Sequence, residues 1–305
     1  MFNSPTIPFF GAQLDIPLAS ADIAIFGAPH GTPYKSQSNA PFSGTADALR
    51  KALDEDRRWG WDTHWDFDLG GPLLDNRDVK VSDLGNLNTT ELNGAENRAL
   101  IRQASADCIS AGATPIMMGG DDSTPIPFIE GLAGLGPVTV LQIDAHIDWR
   151  NDREGEAHGY SSTMKRASDM PHVERIIQLG ARGIGSAREA EVKDAHAWGA
   201  KIVTAREVLS RGVAAALSDC PEGTKFAITV DCDGLDASIM PAVMAPTPGG
   251  LSYTHAIDLI AEAARIGKIA GFDIVEFVAE RDQNGVAALT AARIVANAIG
   301  AVARQ

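Results

Sequence analysis

The chain has 305 residues, 45% of them apolar, with a mean hydropathy of −0.05 and 40 acidic against 26 basic side chains, a formal net charge of −14. This balance excludes intrinsic disorder as the main state, and it sets aside nucleic acid and anionic membrane surfaces as partners, because both are bound through clustered Lys and Arg. The length suffices for one large α/β core.

The first twenty residues, MFNSPTIPFFGAQLDIPLAS, lack a basic stretch followed by a long apolar one, and no run of eighteen residues is apolar throughout. A cytoplasmic protein is expected. From there on, short apolar runs alternate with stretches of helical period. Strands are predicted at 22–29, 80–85, 114–120, 137–144, 175–182, 200–205, 225–231 and 268–276, and helices at 92–111, 187–198, 205–217, 253–266 and 287–302. The segment RRWGWDTHWDFDLGGP (57–72) gathers three of the five tryptophans among Asp and Gly and reads as a loop. It is either a satellite cluster at a sheet edge or a lid or subunit contact. GARGIG (180–185) does not satisfy GxGxxG and no P-loop is present, so no nucleotide cofactor is expected. Cys108, Cys220 and Cys232 are odd in number and far apart, which fits reduced thiols. No linker, repeat or composition break divides the chain. A single three-layer α/β domain spanning 1–305, with a parallel sheet of about eight strands, is predicted, although the alternation also permits a (β/α)₈ barrel.

In an open parallel sheet the ligand site lies beyond the carboxyl ends of the strands. Asp121-Asp122-Ser123 follows the strand at 114–120; Asp144-Ala145-His146-Ile147-Asp148 follows the run VTVLQI; Asp231-Cys232-Asp233 follows KFAITV; and KIAGFDIV ends in Glu276. Crowded carboxylates repel one another and need a cation. Asp and His ligands without thiolate suit a divalent ion such as manganese, and five carboxylates with one imidazole are too many for one ion. Two ions sharing carboxylates fit the count, and such a pair activates a water for attack on carbon or phosphorus. If strand geometry continues, alternation places Asp144, His146 and Asp148 on one side and pairs Asp231 with Asp233. Asp121, Asp236 and Asp273 read equally well as cap or turn residues.

With GGDDS (119–123), DAHID (144–148), HG (158–159), TVDCDGLDAS (229–238), APTPGGLSY (245–253) and GFDIVE (271–276) in this order, the chain resembles the ureohydrolase family, the arginase and agmatinase group of binuclear manganese enzymes. The resemblance implies the arginase-like α/β fold, two Mn²⁺ ions (Ni²⁺ or Co²⁺ as alternatives), a small guanidino substrate, and assembly as trimers or hexamers. It further implies that Asp144 and Asp231 bridge the ions, that Asp148 completes one and His146 with Asp233 the other. Glu276 would pair with the substrate guanidinium, His158 would shuttle protons, and Asp148 would help protonate the leaving amine.

GGDDS departs from the family's usual GGDHS and puts Asp122 where a histidine binds metal. An aspartate there adds a negative charge and favours harder ions. It also motivates a different class of protein, a non-catalytic subunit assembled with an active paralogue. Ala237 departs from the family's proline. Specificity is expected in WRNDREGEA (149–157) and in 33–43. That segment is shorter than in arginases, which favours agmatine or a guanidino acid over arginine. Asp152, Glu154 and Glu156 would attract the amine of agmatine, whereas Arg150 or Arg153 would hold the carboxylate of guanidinobutyrate or guanidinopropionate. Agmatine is the expected substrate.

Overall fold

In the computed structural model, which describes residues 1–305, every predicted strand is present, with boundaries moved by at most two residues. In chain order the strands are β1 (Phe2–Asn3), β2 (Ile23–Ala28), β3 (Trp65–Asp66), β4 (Gly71–Pro72), β5 (Val81–Leu87), β6 (Thr114–Gly119), β7 (Val138–Ile143), β8 (Val173–Ala181), β9 (Lys201–Thr204), β10 (Lys225–Asp231) and β11 (Lys268–Val275). Nine of them form one sheet in the order β1-β5-β2-β6-β11-β10-β7-β8-β9, and β3 pairs with β4 in a separate hairpin. The sheet is parallel apart from the two-residue β1, which lies antiparallel to β5. It ends on β1 and β9 and is open, so the barrel alternative does not apply.

Both faces of the sheet are buried, as its apolar runs require. In β2, Ile23 and Ile25 join the core on one face while Ala24 and Phe26 join the core on the other. Helices cover each face, giving three layers. Helix Val286–Ala303 has a mean hydropathy of 1.7, enough by composition to cross a membrane, yet 72% of it is buried against the rest of the protein, which marks it as a core helix.

Four helices predicted from sequence are observed as Gly94–Ala111, Glu189–Trp198, Tyr253–Ile266 and Val286–Ala303. The fifth, predicted at 205–217, is two helices, Ala205–Arg211 and Ala214–Leu217, because Gly212 takes a φ of 75° between them. The segment 57–72 is not loop throughout. Arg57 and Arg58 finish helix Asp54–Arg58, and 65–72 contains the β3–β4 hairpin. Trp61 packs beside the core, edge-on to Phe10, while Trp59, Trp65 and Phe67 are exposed. None of them lines the cavity described below, so this segment is no lid over it.

The order of the strands positions the site. β6, β11, β10 and β7 are adjacent and point the same way, so the residues that follow them meet on one rim.

Candidate metal centre

One small turn recurs along that rim. Asp144 Oδ1 accepts from the backbone N–H of His146 (2.6 Å), Asp231 Oδ1 from that of Asp233 (2.7 Å), and Asp121 Oδ1 from that of Ser123 (3.1 Å). Asp commonly caps its own chain two residues on, which reverses the backbone as the strand ends. His146 and Asp148 therefore come back toward Asp144 through a turn. β7 stops at Ile143, and the continued strand alternation expected from sequence is absent. Asp148 (φ 43°) and Glu276 (φ 65°) lie in the left-handed region, which costs a non-glycine residue about 1–2 kcal/mol. Such outliers persist where the surroundings fix them.

Two overlapping sets of potential ligand atoms result. Asp144, His146 and Asp233 form one, and Asp122, Asp144 and Asp231 form the other, with the atoms of each set within 4.8 Å of one another. Asp144 belongs to both. Both carboxylate oxygens of the buried Asp122 lack any hydrogen-bond partner, which a buried carboxylate tolerates only with a cation or a proton. Burial first, and neighbouring carboxylates second, push Asp122, Asp144, Asp231 and Glu276 well above the usual carboxylate range. For His146, burial lowers the pKa, but Asp233, Asp148 and Asp231 outweigh it and hold the imidazole at about 10. Its Nδ1 lies 3.2 Å from Asp233 and 3.3 Å from Asp144. These are groups that fit divalent cations: oxygen-rich, buried, mutually repelling and short of positive charge.

The sets open into a cavity of about 510 Å³ lined by Asp121, Asp122, His146, Asp148, Asp231, Asp233 and Glu276 at its floor. Glu276 Oε1 accepts from the backbone N–H of Asp122 (2.9 Å), which fixes the carboxylate. Arg150 and Arg153 also line the cavity, and Arg150 Nε is paired with Glu191 at 3.3 Å. His158 is not among the lining residues. Its backbone N–H donates to Glu156 Oε1 (2.8 Å), its Nδ1 lies 3.5 Å from the same oxygen, and Tyr160 and Ser161 face the cavity instead.

Three features go beyond the sequence reading. Gln178 donates to Gln142 Oε1 (2.6 Å), so the Gln142 amide must turn its NH₂ toward Asp144 (2.6 Å) and Asp148 (3.2 Å). Both glutamines are buried neighbours on β7 and β8, and their only sequence signal is a polar residue within an apolar run. Arg182, from the GARGIG segment, donates to the carbonyls of Asp233 (2.7 Å), Gly234 (3.1 Å) and Thr247 (2.7 Å), tying the turn after β10 to the loop at 245–250. Asp236 holds the same loop from the other side by accepting from the Ser238 hydroxyl (2.6 Å) and from the N–H groups of Ser238, Gly250 and Gly249, which together lower it to about 2.

The sequence profile of the arginase family matches residues 21–300. N(1)-aminopropylagmatine ureohydrolase of Thermus thermophilus is 31% identical over 212 residues, 67% of this chain and 68% of that protein. The mitochondrial guanidino acid hydrolase of Homo sapiens is 26% identical over 223 residues, covering 71% of this chain and 63% of that one. Among solved structures, proclavaminate amidino hydrolase from Streptomyces clavuligerus superposes with a TM-score of 0.85 over 99% of this chain and 98% of its own, at 22% identity, a likeness of fold.

Proposed function

The chain belongs to the arginase family, and on that footing we propose that it is a binuclear-metal hydrolase that cleaves the C–N bond of a guanidino compound to give urea and an amine. One observation carries the reading: the buried, unpartnered Asp122 stands with Asp144 and Asp231 in a ligand set that shares Asp144 with His146 and Asp233. By the family resemblance Asp144 and Asp231 would hold both ions and Asp148 one of them; the two sets share Asp144 and group Asp122 with Asp231, and His146 with Asp233. Manganese suits this donor set, with nickel and cobalt as alternatives. When bound, the ions supply counter-charge for the carboxylates and a water acidic enough to attack near neutral pH.

The rest falls to the chain itself. A guanidinium carbon is a poor electrophile, so its plane must be held and its leaving nitrogen protonated. Glu276, fixed by the Asp122 N–H, is assigned to the guanidinium. Asp148, oriented by Gln142, is assigned to the proton for the departing amine. His158 sits beside Glu156 and outside the cavity wall, and is assigned to proton exchange with solvent rather than to the reacting atoms. The nearness of Asp122 to Asp144 and Asp231 supports the hydrolase reading over a non-catalytic subunit. Assembly as a homo-oligomer, trimer or hexamer, is part of the same proposal.

The agmatine expectation rests on Asp152, Glu154 and Glu156 as partners for a tail amine, and none of the three lines the cavity. The test is urea release from agmatine, arginine, guanidinobutyrate, guanidinopropionate, guanidinoacetate and methylated guanidines after loading with manganese, nickel or cobalt, with bound metal counted in the same samples. Turnover with two ions bound is expected. Two bound ions and no urea from any compound would overturn the proposal.

A further inference from the structure

Among the residues that line the cavity with the acidic cluster is Arg153. The residue opens a tight turn in which Arg153 and Glu156 exchange both backbone hydrogen bonds (3.0 Å each). Glu154 (φ 59°) and Gly155 (φ 80°) make the reversal between them, the conformation of a type I′ turn. The guanidinium projects onto two aromatic rings, with Cζ 4.9 Å from the centroid of Tyr34 and 5.6 Å from that of Tyr160. Nη1 donates to Tyr160 Oη (2.7 Å), and Tyr160 in turn donates to Gln37. Tyr34 is itself fixed, its hydroxyl accepting from the backbone N–H of Ser161 (3.0 Å).

A guanidinium braced in this way has its direction set before any ligand arrives. Its nearest carboxylate oxygen, Glu154 Oε1, is 3.7 Å from Nε and already accepts from Ser36. Arg150 differs, since it is paired with Glu191. Its pair is the closer of the two, 3.3 Å against 3.7 Å, so Arg153 is the less neutralised of the cavity arginines.

We infer that Arg153 seats the carboxylate of the substrate, and that the substrate class is an ω-guanidino carboxylic acid. The inference rests on the hydrolase reading above. A guanidinium at the acidic cluster and a carboxylate at Arg153 would use the two kinds of charge that line the cavity. Agmatine would bring its ammonium against the Arg153 charge, a like-charge contact that discriminates against it.

The test compares kcat/KM for 4-guanidinobutyrate, 3-guanidinopropionate and guanidinoacetate with that for agmatine, using the metal-loaded full chain. One of the acids is expected to exceed agmatine, and Arg153→Met should raise KM for that acid about 10- to 100-fold with a much smaller change in kcat. Arg153→Lys should restore part of the loss, because it keeps the charge but not the fork. Arg153→Glu should move the preference toward agmatine. Turnover of agmatine above every acid, or an acid-to-amine ratio unmoved by Arg153→Met, overturns the carboxylate seat and leaves the hydrolase standing. Two bound ions with no urea from any compound overturns both.

Discussion

At the scale of single residues, the site depends on carboxylates held where they resist being held. Glu276 is buried, sits at a positive φ and is pushed toward its neutral form, yet its assigned task requires a charge facing a guanidinium. Glu276→Gln keeps the size and the acceptor for the Asp122 N–H while removing that charge. Turnover should fall by about 10³ or more with both ions retained. Loss of metal in the variant would show that Glu276 belongs to the metal set and not to the substrate. The aspartates and His146 were legible because their chemistry lies in contiguous motifs, DAHID and DCD, each folded by its own first residue. Arg182 and Gln142 were not legible, since an arginine or a glutamine carries no sign of the remote carbonyls or carboxylates it will meet. His158 was legible as a motif but not as a position. Its place follows from the Glu154–Gly155 turn and from Tyr34, whose ring lies where a side chain at Gly159 would project, 2.3 Å from an added Cβ.

Among the elements, strands were easier to read than helices. Strands buried on both faces leave unbroken apolar runs, and the parallel sheet followed from their alternation with helices. The missed helices, Thr45–Ala52, Asp54–Arg58, Pro125–Gly131 and Thr163–Ser168, have eight residues or fewer, and nearly all of Pro125–Gly131 is buried, so no amphipathic period marks it. The two-residue β1 is likewise too short to carry a pattern. Where elements meet, one glycine decides how closely the turns after β7 and β10 approach. A Cβ at Gly234 would lie 2.6 Å from the backbone N and 2.7 Å from the Cα of Asp144, and neither atom belongs to a movable side chain. Gly234→Ala should therefore separate the aspartates of the two turns and weaken metal retention about 10- to 100-fold, the usual range for disturbed metal-ligand support. Circular dichroism should remain that of the parent. Metal affinity equal to the parent's would show that the approach of these turns is not what sets the site.

For the molecule as a whole, the acidic cluster couples stability to pH and, on the proposed metal assignment, to metal. A carboxyl with a raised folded pKa keeps a proton that the unfolded chain has released, so its contribution to stability falls as pH climbs through the interval between the two values. Asp122, Asp144, Asp231 and Glu276 act in this sense, and so do Asp121, raised to about 6, and Asp273, raised to about 8, both by burial. His146, raised to about 10 by its carboxylate partners against the opposing effect of burial, contributes stability that is likewise lost with rising pH. The signs agree. Chelator-treated protein should have a higher Tm near pH 5.5 than near pH 8, and added manganese should raise Tm more at the higher pH. A metal-free Tm that rises between those pH values would contradict the assignment of these groups as a mutually repelling cluster.

The strand order also fixes when in the life of the chain the centre comes into being. β6 and β7 follow one another in sequence, but β11 and β10 lie between them in the sheet. A nascent chain that has emerged only as far as residue 224 therefore has the first two aspartate turns and a two-strand gap where the shared rim should be. The final strand of that gap ends at Val275, with Glu276 immediately after it. On the proposed metal assignment, the complete ligand set accordingly comes together only after β11 has been made, and a translation product cut short before β11 keeps ligand residues but lacks the strand that seats β10 beside β6.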